Sequence, residues 1–208
     1  MKNKMVHDAL VLTAITLVAG LALGLVYEIT KAPIAAANEA ATQEAYRTVF
    51  ESADSFVDYD GFSADDATAL VAEAGYEDDS IDNCVVATDA SGNALGYVIT
   101  VTTSAGYGGD ITFSVGITND GIINGYSITS ISETAGLGMK ARDTGDGSFS
   151  SQFINRAAEI FEVTKTGATA SNEIDAISAA TITSKAVTGG VNASVTYFNS
   201  IAGGDANE

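Results

Sequence analysis

Nineteen consecutive positions, 9–27 (ALVLTAITLVAGLALGLVY), carry no charge and are bracketed by Asp8 and Glu28. At about 1.5 Å per residue, a helix of this length spans about 28 Å, close to the hydrocarbon thickness of a bilayer. A single transmembrane anchor is therefore predicted. Gly20 and Gly24 give it a small-xxx-small spacing that permits close approach of another membrane helix. Past the span, 34–50 is rich in good helix formers and reads as a membrane-proximal helix. Ser63-Ala64-Asp65-Asp66 opens a second helix over 63–75 with a capping residue and early acids.

A β pattern follows. Runs at 84–88 and 94–103 flank Asp89-Ala90-Ser91-Gly92-Asn93, a hairpin-like turn. Runs at 111–118 and 122–130 flank Asn119-Asp120-Gly121, a stronger hairpin signal. Next come a short helix expected over 150–159, a strand over 160–164, and a last helix over 183–201. Val187, Val191, Ser194 or Val195, Phe198 and Ile201 fall on one face of that helix. The fold class predicted is α+β: one transmembrane helix, then a single extracytoplasmic domain with an antiparallel sheet and flanking helices. The divisions expected are 1–33 (cytoplasmic tail and anchor), 34–83 (membrane-proximal helix and acidic stretch), 84–202 (main domain) and 203–208 (flexible tail).

Charge narrows the partners. Residues 51–89 hold twelve acids and no base, and read as a surface elaboration. Beyond residue 33 the chain carries six bases and 25 acids, a formal charge of −19. Such a surface repels nucleic acid and anionic headgroups, so neither is an expected ligand. Lys2 and Lys4 before the span favour an inside N-terminus and an outside main domain, against which Lys31 counts. A cleaved secretory signal is the competing reading, since Ala35-Ala36-Ala37 offers small residues, but the apolar run exceeds a usual signal core. Both readings place the domain outside the cytoplasm. Cys84 and His7 are the only residues of their kinds. An internal disulfide, a Cys/His metal site and a histidine-dependent triad are therefore excluded, and no metal site is expected.

The chemistry-bearing segment is Asp175-Ala176-Ile177-Ser178-Ala179-Ala180-Thr181-Ile182-Thr183-Ser184. Small and hydroxyl residues here lead into a helix start, where free N–H groups and the helix dipole suit an anion. Two glycine-rich segments accompany it: Gly106-Tyr107-Gly108-Gly109 and Glu133-Thr134-Ala135-Gly136-Leu137-Gly138. No Lys or Arg lies between Arg47 and Lys140. Lys140 and Lys185 each adjoin a motif and are candidate partners for a phosphate.

These residues carry a resemblance. The 175–181 segment resembles the Asp-x-x-Ser/Thr-Gly-Ala-Thr/Ser signature of FMN-binding domains modified by a flavin transferase, with Ala179 in place of the usual Gly. Alanine resists left-handed backbone angles. The glycine-rich segments look like paired motifs of the same family, with Ala135 where proline is usual. The whole arrangement resembles the G subunits of Rnf complexes, ferredoxin:NAD oxidoreductases that couple electron flow to ion movement, and is similar to the C subunit of sodium-translocating NADH:quinone oxidoreductases.

The resemblance implies FMN esterified through its phosphate to Thr181, with Asp175 in the recognition motif and Ser178, Ala179, Ala180, Thr183 and Ser184 around the attachment point. It further implies Glu133, Thr134, Leu137 and Gly138 flanking the ring, and Gly106, Gly108 and Gly109 forming the opposite wall. A flavin transferase during maturation and the other redox and membrane subunits of such a complex are the implied partners. One-electron carriage, without independent substrate turnover, is the implied role. Thr166-Gly167-Ala168-Thr169 repeats the core of the signature, but Val163 stands where the acid belongs, so Thr169 is read as a decoy. The rival classes are another extracytoplasmic flavin electron-transfer protein and a non-redox, pilin-like surface protein. Against the last, no glutamate interrupts 9–27.

Overall fold

The computed structural model describes residues 2–202, so the tail expected at 203–208 lies outside the described residues. Chain contacts divide the protein into two units that meet between Ala41 and Thr42.

The first helix, α1 (Lys2–Val49), is one element where two were expected, and it passes through Pro33 without ending. Proline removes one N–H from the helical ladder, and the apolar and alanine-rich runs on either side of it hold helical geometry. Leu10, Leu21 and Leu23 are 65%, 68% and 72% exposed, so their side chains call for an apolar surrounding. The helix is long and apolar enough to cross a bilayer.

In the second unit the chain forms β1 (Ser55–Asp58), α2 (Ala64–Glu73), β2 (Asp79–Thr88), β3 (Ala94–Thr103), β4 (Ile111–Thr118), β5 (Ile122–Ser130) and β6 (Arg156–Ala157). The six strands pair antiparallel in chain order as one sheet. Alternation sends Ile81, Ile99, Val101, Phe113 and Val115 to one face, where they bury against α2 and the terminal helix α3 (Thr181–Ala202). The opposite face of β2 and β3 offers Val85, Ala87 and Val98, covered by Tyr46, Val49 and Phe50. A parallel pair, β7 (Glu162–Thr164) and β8 (Glu173–Asp175), leads into α3.

Five further expectations are corrected. Residues 51–89 are no mere surface elaboration: β1 pairs with β2, and Ala67 and Val71 of α2 enter the core. Ten of their twelve acids are exposed, Asp89 is half-buried, and Asp79 is buried. The strand expected from residue 84 begins at Asp79, because pairing with β3 extends the ladder past the apolar run. The helix expected over 150–159 is a single 3-10 turn, Ser150–Phe153. Phe153 is buried, Asn155 adopts φ 58, and its N–H donates to Ile123 O (2.8 Å), so the chain turns into β6. Finally, α3 begins two residues before the expected start, at Thr181, and the strand expected over 160–164 begins at Glu162.

Candidate functional site

The N-terminus of α3 is built by a short turn. Ala180 N–H donates to Ile177 O (2.9 Å), and Ser184 N–H donates back to Ala180 O (3.0 Å) as the first turn of the helix closes. The N–H groups of a helix's first turn have no carbonyl behind them. They therefore face outward beside the half-buried Thr181. To make this turn Ala179 adopts φ 63, the left-handed region in which a Cβ crowds the following carbonyl. This is the position where the resemblance expects glycine, and the backbone keeps the glycine geometry although the residue is alanine.

A second loop packs against that start. Leu137 and Met139 N–H groups both donate to Thr134 O (3.1 and 3.2 Å), coiling 134–139 over a buried Glu133. Glu133 is 8% exposed, and its Oε1 accepts the Gly108 N–H at 3.1 Å, tying the first glycine-rich loop to the second. Gly138 passes between Glu133 and α3. A Cβ there would stand 2.6 Å from both Glu133 Oε2 and Thr183 Oγ1, so no side chain fits without the two elements parting.

Between these three segments lies a cavity of about 590 Å³, lined by Tyr107, Glu133, Thr134, Leu137, Gly138 and residues 179–183. That is within the size range of cofactor pockets, which pair apolar walls with a few polar groups. Here the apolar groups are Tyr107, Leu137 and Ile182, which are 70%, 39% and 54% exposed at the mouth. The polar groups are the Thr181, Thr183 and Thr134 hydroxyls, the Glu133 carboxylate and the helix N-terminus. A phosphate at the helix start with a planar ring reaching toward Leu137 and Tyr107 fits this chemistry.

The structure gathers Thr181, Ala179, Ala180, Thr183, Glu133, Thr134, Leu137 and Gly138 at one cavity. It does not bring all the candidates there. From the first glycine-rich loop only Tyr107 lines the cavity; Gly106 and Gly108 pack against residues 109 and 132–133, and Gly109 turns the chain at φ 127. Asp175, Ser178 and Lys140 line a separate cavity of about 400 Å³. Lys185 lines a third, of about 320 Å³, beside Glu77, Asp78 and Asp79. Lys140 and Lys185 thus line different cavities from the one that Thr181 lines.

Ser184 is fully buried and its hydroxyl is engaged with backbone groups. Thr169 donates through both its N–H and its hydroxyl to Glu173 Oε2 and stands apart from any helix start. Tyr107 and Ile182 had not been singled out. A lone aromatic among three glycines, and an apolar residue between two threonines at a helix start, were the available signals.

Two buried titratable groups lie near the core. Burial pushes the Asp79 carboxyl up to about 6, against the lowering effect of the Thr103 hydroxyl and with a smaller contribution from Asp78. Its Oδ1 has no hydrogen-bond partner among the described residues. Burial also pushes the Cys84 thiol up to about 12, consistent with a packed, inert side chain.

The sequence profile of the FMN-binding domain family matches residues 106–196, which span every residue of the 590 Å³ cavity. The chain is 34% identical over 195 residues to the G subunit of the Na(+)-translocating ferredoxin:NAD(+) oxidoreductase complex of Acetobacterium woodii, covering 93% of this chain and 91% of that one. It is 39% identical over 118 residues to the G subunit of the proton-translocating ferredoxin:NAD(+) oxidoreductase complex of Clostridium ljungdahlii, covering 57% and 61%. It is 28% identical to the G subunit of an ion-translocating oxidoreductase complex of Methanosarcina acetivorans, covering 92% and 93%. Among solved structures it is similar to NqrC of Shewanella oneidensis, with a TM-score of 0.46, 20% identity, and coverage of 59% and 61%.

Proposed function

The chain belongs to the family of G subunits of ion-translocating ferredoxin:NAD(+) oxidoreductase complexes, and on that basis we propose that it is the membrane-anchored electron carrier of such a complex, holding FMN as a phosphoester on Thr181. The observation that carries the reading is the convergence of three separate motifs on one cavity, with a half-buried threonine at a helix N-terminus.

The bound flavin supplies the electron-carrying chemistry. The chain's own residues supply position and environment. Thr181 Oγ1 would be the attachment atom, its hydroxyl proton exchanged for the phosphoryl group of FMN. This exchange is assigned to a flavin transferase. The free N–H groups at the start of α3 and the helix dipole offset the phosphodiester charge in an otherwise acidic domain. Leu137, Tyr107 and Ile182 give apolar contact at the cavity mouth, where exposure leaves room for approach of a redox partner. Glu133 fixes the two glycine-rich loops against each other. Thr181 is thus an acceptor of modification and not a nucleophile in turnover, and electron transfer depends on the partner subunits of the complex.

The anchor is the 9–27 span of α1, with the flavin domain placed outside the cytoplasm; Lys2 and Lys4 before the span support that orientation. A covalent link keeps the cofactor from being lost by dilution there. Co-expression with a flavin transferase, followed by denaturing electrophoresis, tests the site: the band should fluoresce under ultraviolet light. Thr181→Ala should abolish the fluorescence and Thr169→Ala should spare it. Labelling that persists in Thr181→Ala refutes the site.

A further inference from the structure

Ser184 sits three residues past the proposed attachment point, on the buried side of α3, with no exposed surface. Its hydroxyl is used twice. It accepts the Ile177 N–H at 2.9 Å and donates to Ala180 O at 2.9 Å. One side chain therefore ties both ends of the 177–180 turn to the helix that follows. Within that turn Ala179 holds φ 63, a conformation that alanine disfavours. Gln152 holds the segment one step further out: its Oε1 accepts the Asp175 N–H (2.7 Å) and its Nε2 donates to Asp175 O (3.1 Å). Ser194, equally buried on the same helix, differs: its hydroxyl donates to Gly190 O (2.9 Å), a bond within the helix itself.

We propose that Ser184 is a positioning residue for flavin attachment, its hydroxyl holding the left-handed turn at Ala179 and so setting Thr181 at the helix start. The proposal rests on Thr181 being the modified residue. The turn has two states, one with Thr181 presented and one relaxed. Ala179 favours the relaxed state and the Ser184 bridge favours the presented one. Serine suits the task because the site needs a donor and an acceptor on a side chain short enough to reach both backbone groups; alanine supplies neither. Where glycine takes position 179 the opposing strain disappears and the bridge is less needed. The two positions are therefore coupled, which a residue that merely fills space would not show.

The experiment uses the full chain in detergent, below the unfolding temperature of every variant, with a flavin transferase and its flavin donor. The rate of appearance of the in-gel flavin band is measured. Ser184→Ala should slow labelling roughly tenfold, the effect of losing two hydrogen bonds that favour the presented state. Ser194→Ala, which also loses a buried hydroxyl from α3, should label at the wild-type rate. Adding Ala179→Gly to Ser184→Ala should return the rate to within about twofold of wild type. In the unlabelled protein, amide hydrogen exchange at Ile177 should accelerate in Ser184→Ala and slow again in the double variant.

Ser184→Ala labelling at the wild-type rate, Ser194→Ala slowing it equally, or Ala179→Gly failing to restore it overturns the proposal. If wild-type protein takes no label at Thr181, the function reading fails, and unchanged exchange at Ile177 in Ser184→Ala separately removes the bridge.

Discussion

Asp79→Asn isolates the pH dependence of a buried carboxyl from the rest of a strongly acidic chain. Asp79 opens β2, is 6% exposed, and lies against the backbone of α3 near Gly189 and Gly190, its Oδ1 without a partner among the described residues. The Thr103 hydroxyl, Asp78 and Tyr76 face it, and Glu77 and Lys185 line the same cavity. Burial raises its folded-state value from 3.8 to about 6. The folded state thus binds the proton more tightly than the unfolded chain. The resulting stability is fully present below about pH 4 and is lost as pH rises through about 6.

The rise from 3.8 to about 6 sets an upper figure of about 3 kcal/mol, and solvent relaxation around the site brings the expected figure to about 2 kcal/mol. For a domain of this size that corresponds to a change of roughly 4–8 °C in Tm. The assay is thermal unfolding of wild type and Asp79→Asn at pH 4, 5, 6, 7 and 8 at constant ionic strength. Subtracting one from the other cancels the self-repulsion shared by both proteins. The variant should gain on wild type by about 2 kcal/mol between pH 4 and pH 8, with most of the change between 4 and 6. A difference that stays flat, or that shrinks with rising pH, rules out this linkage.

Gly138→Ala should lower stability by about 1–3 kcal/mol, because the new methyl stands 2.6 Å from two buried side-chain oxygens. It should also reduce flavin incorporation, as seen by band fluorescence alongside thermal unfolding, since Glu133 and Thr183 line the cavity. Cys84, fully buried with its thiol pushed up to about 12, should resist iodoacetamide at pH 8 in the folded protein. In denaturant it should react completely, as read by mass spectrometry.

The elements legible in the sequence were those whose signals are local. The strands Ala94–Thr103, Ile111–Thr118 and Ile122–Ser130 fall at the expected limits, because alternation and turn residues such as Asp89 and Gly121 fix both ends. The gathering of the three motifs followed from their resemblance to one family, whose profile covers them all. What escaped depends on contacts distant in sequence. The start of β2 at Asp79 is set by its partner strand, and no apolar run announces it. The break at Asn155 follows from a bond to Ile123. Lys140 and Lys185 adjoin motifs in sequence, yet the loop and the helix turn that carry them lead to other cavities. The motif places Ser184 in the cofactor's surroundings, whereas its burial shows a side chain spent on the backbone of its own loop.

Peptide mass spectrometry of the protein purified from its native membrane decides whether Thr181 carries the flavin. The peptide containing Thr181 should show an FMN-sized increment, fragmentation should place it on Thr181, and the peptide containing Thr169 should carry none. An unmodified Thr181 peptide in protein from an active complex would contradict the assignment of this chain as a covalent flavin carrier.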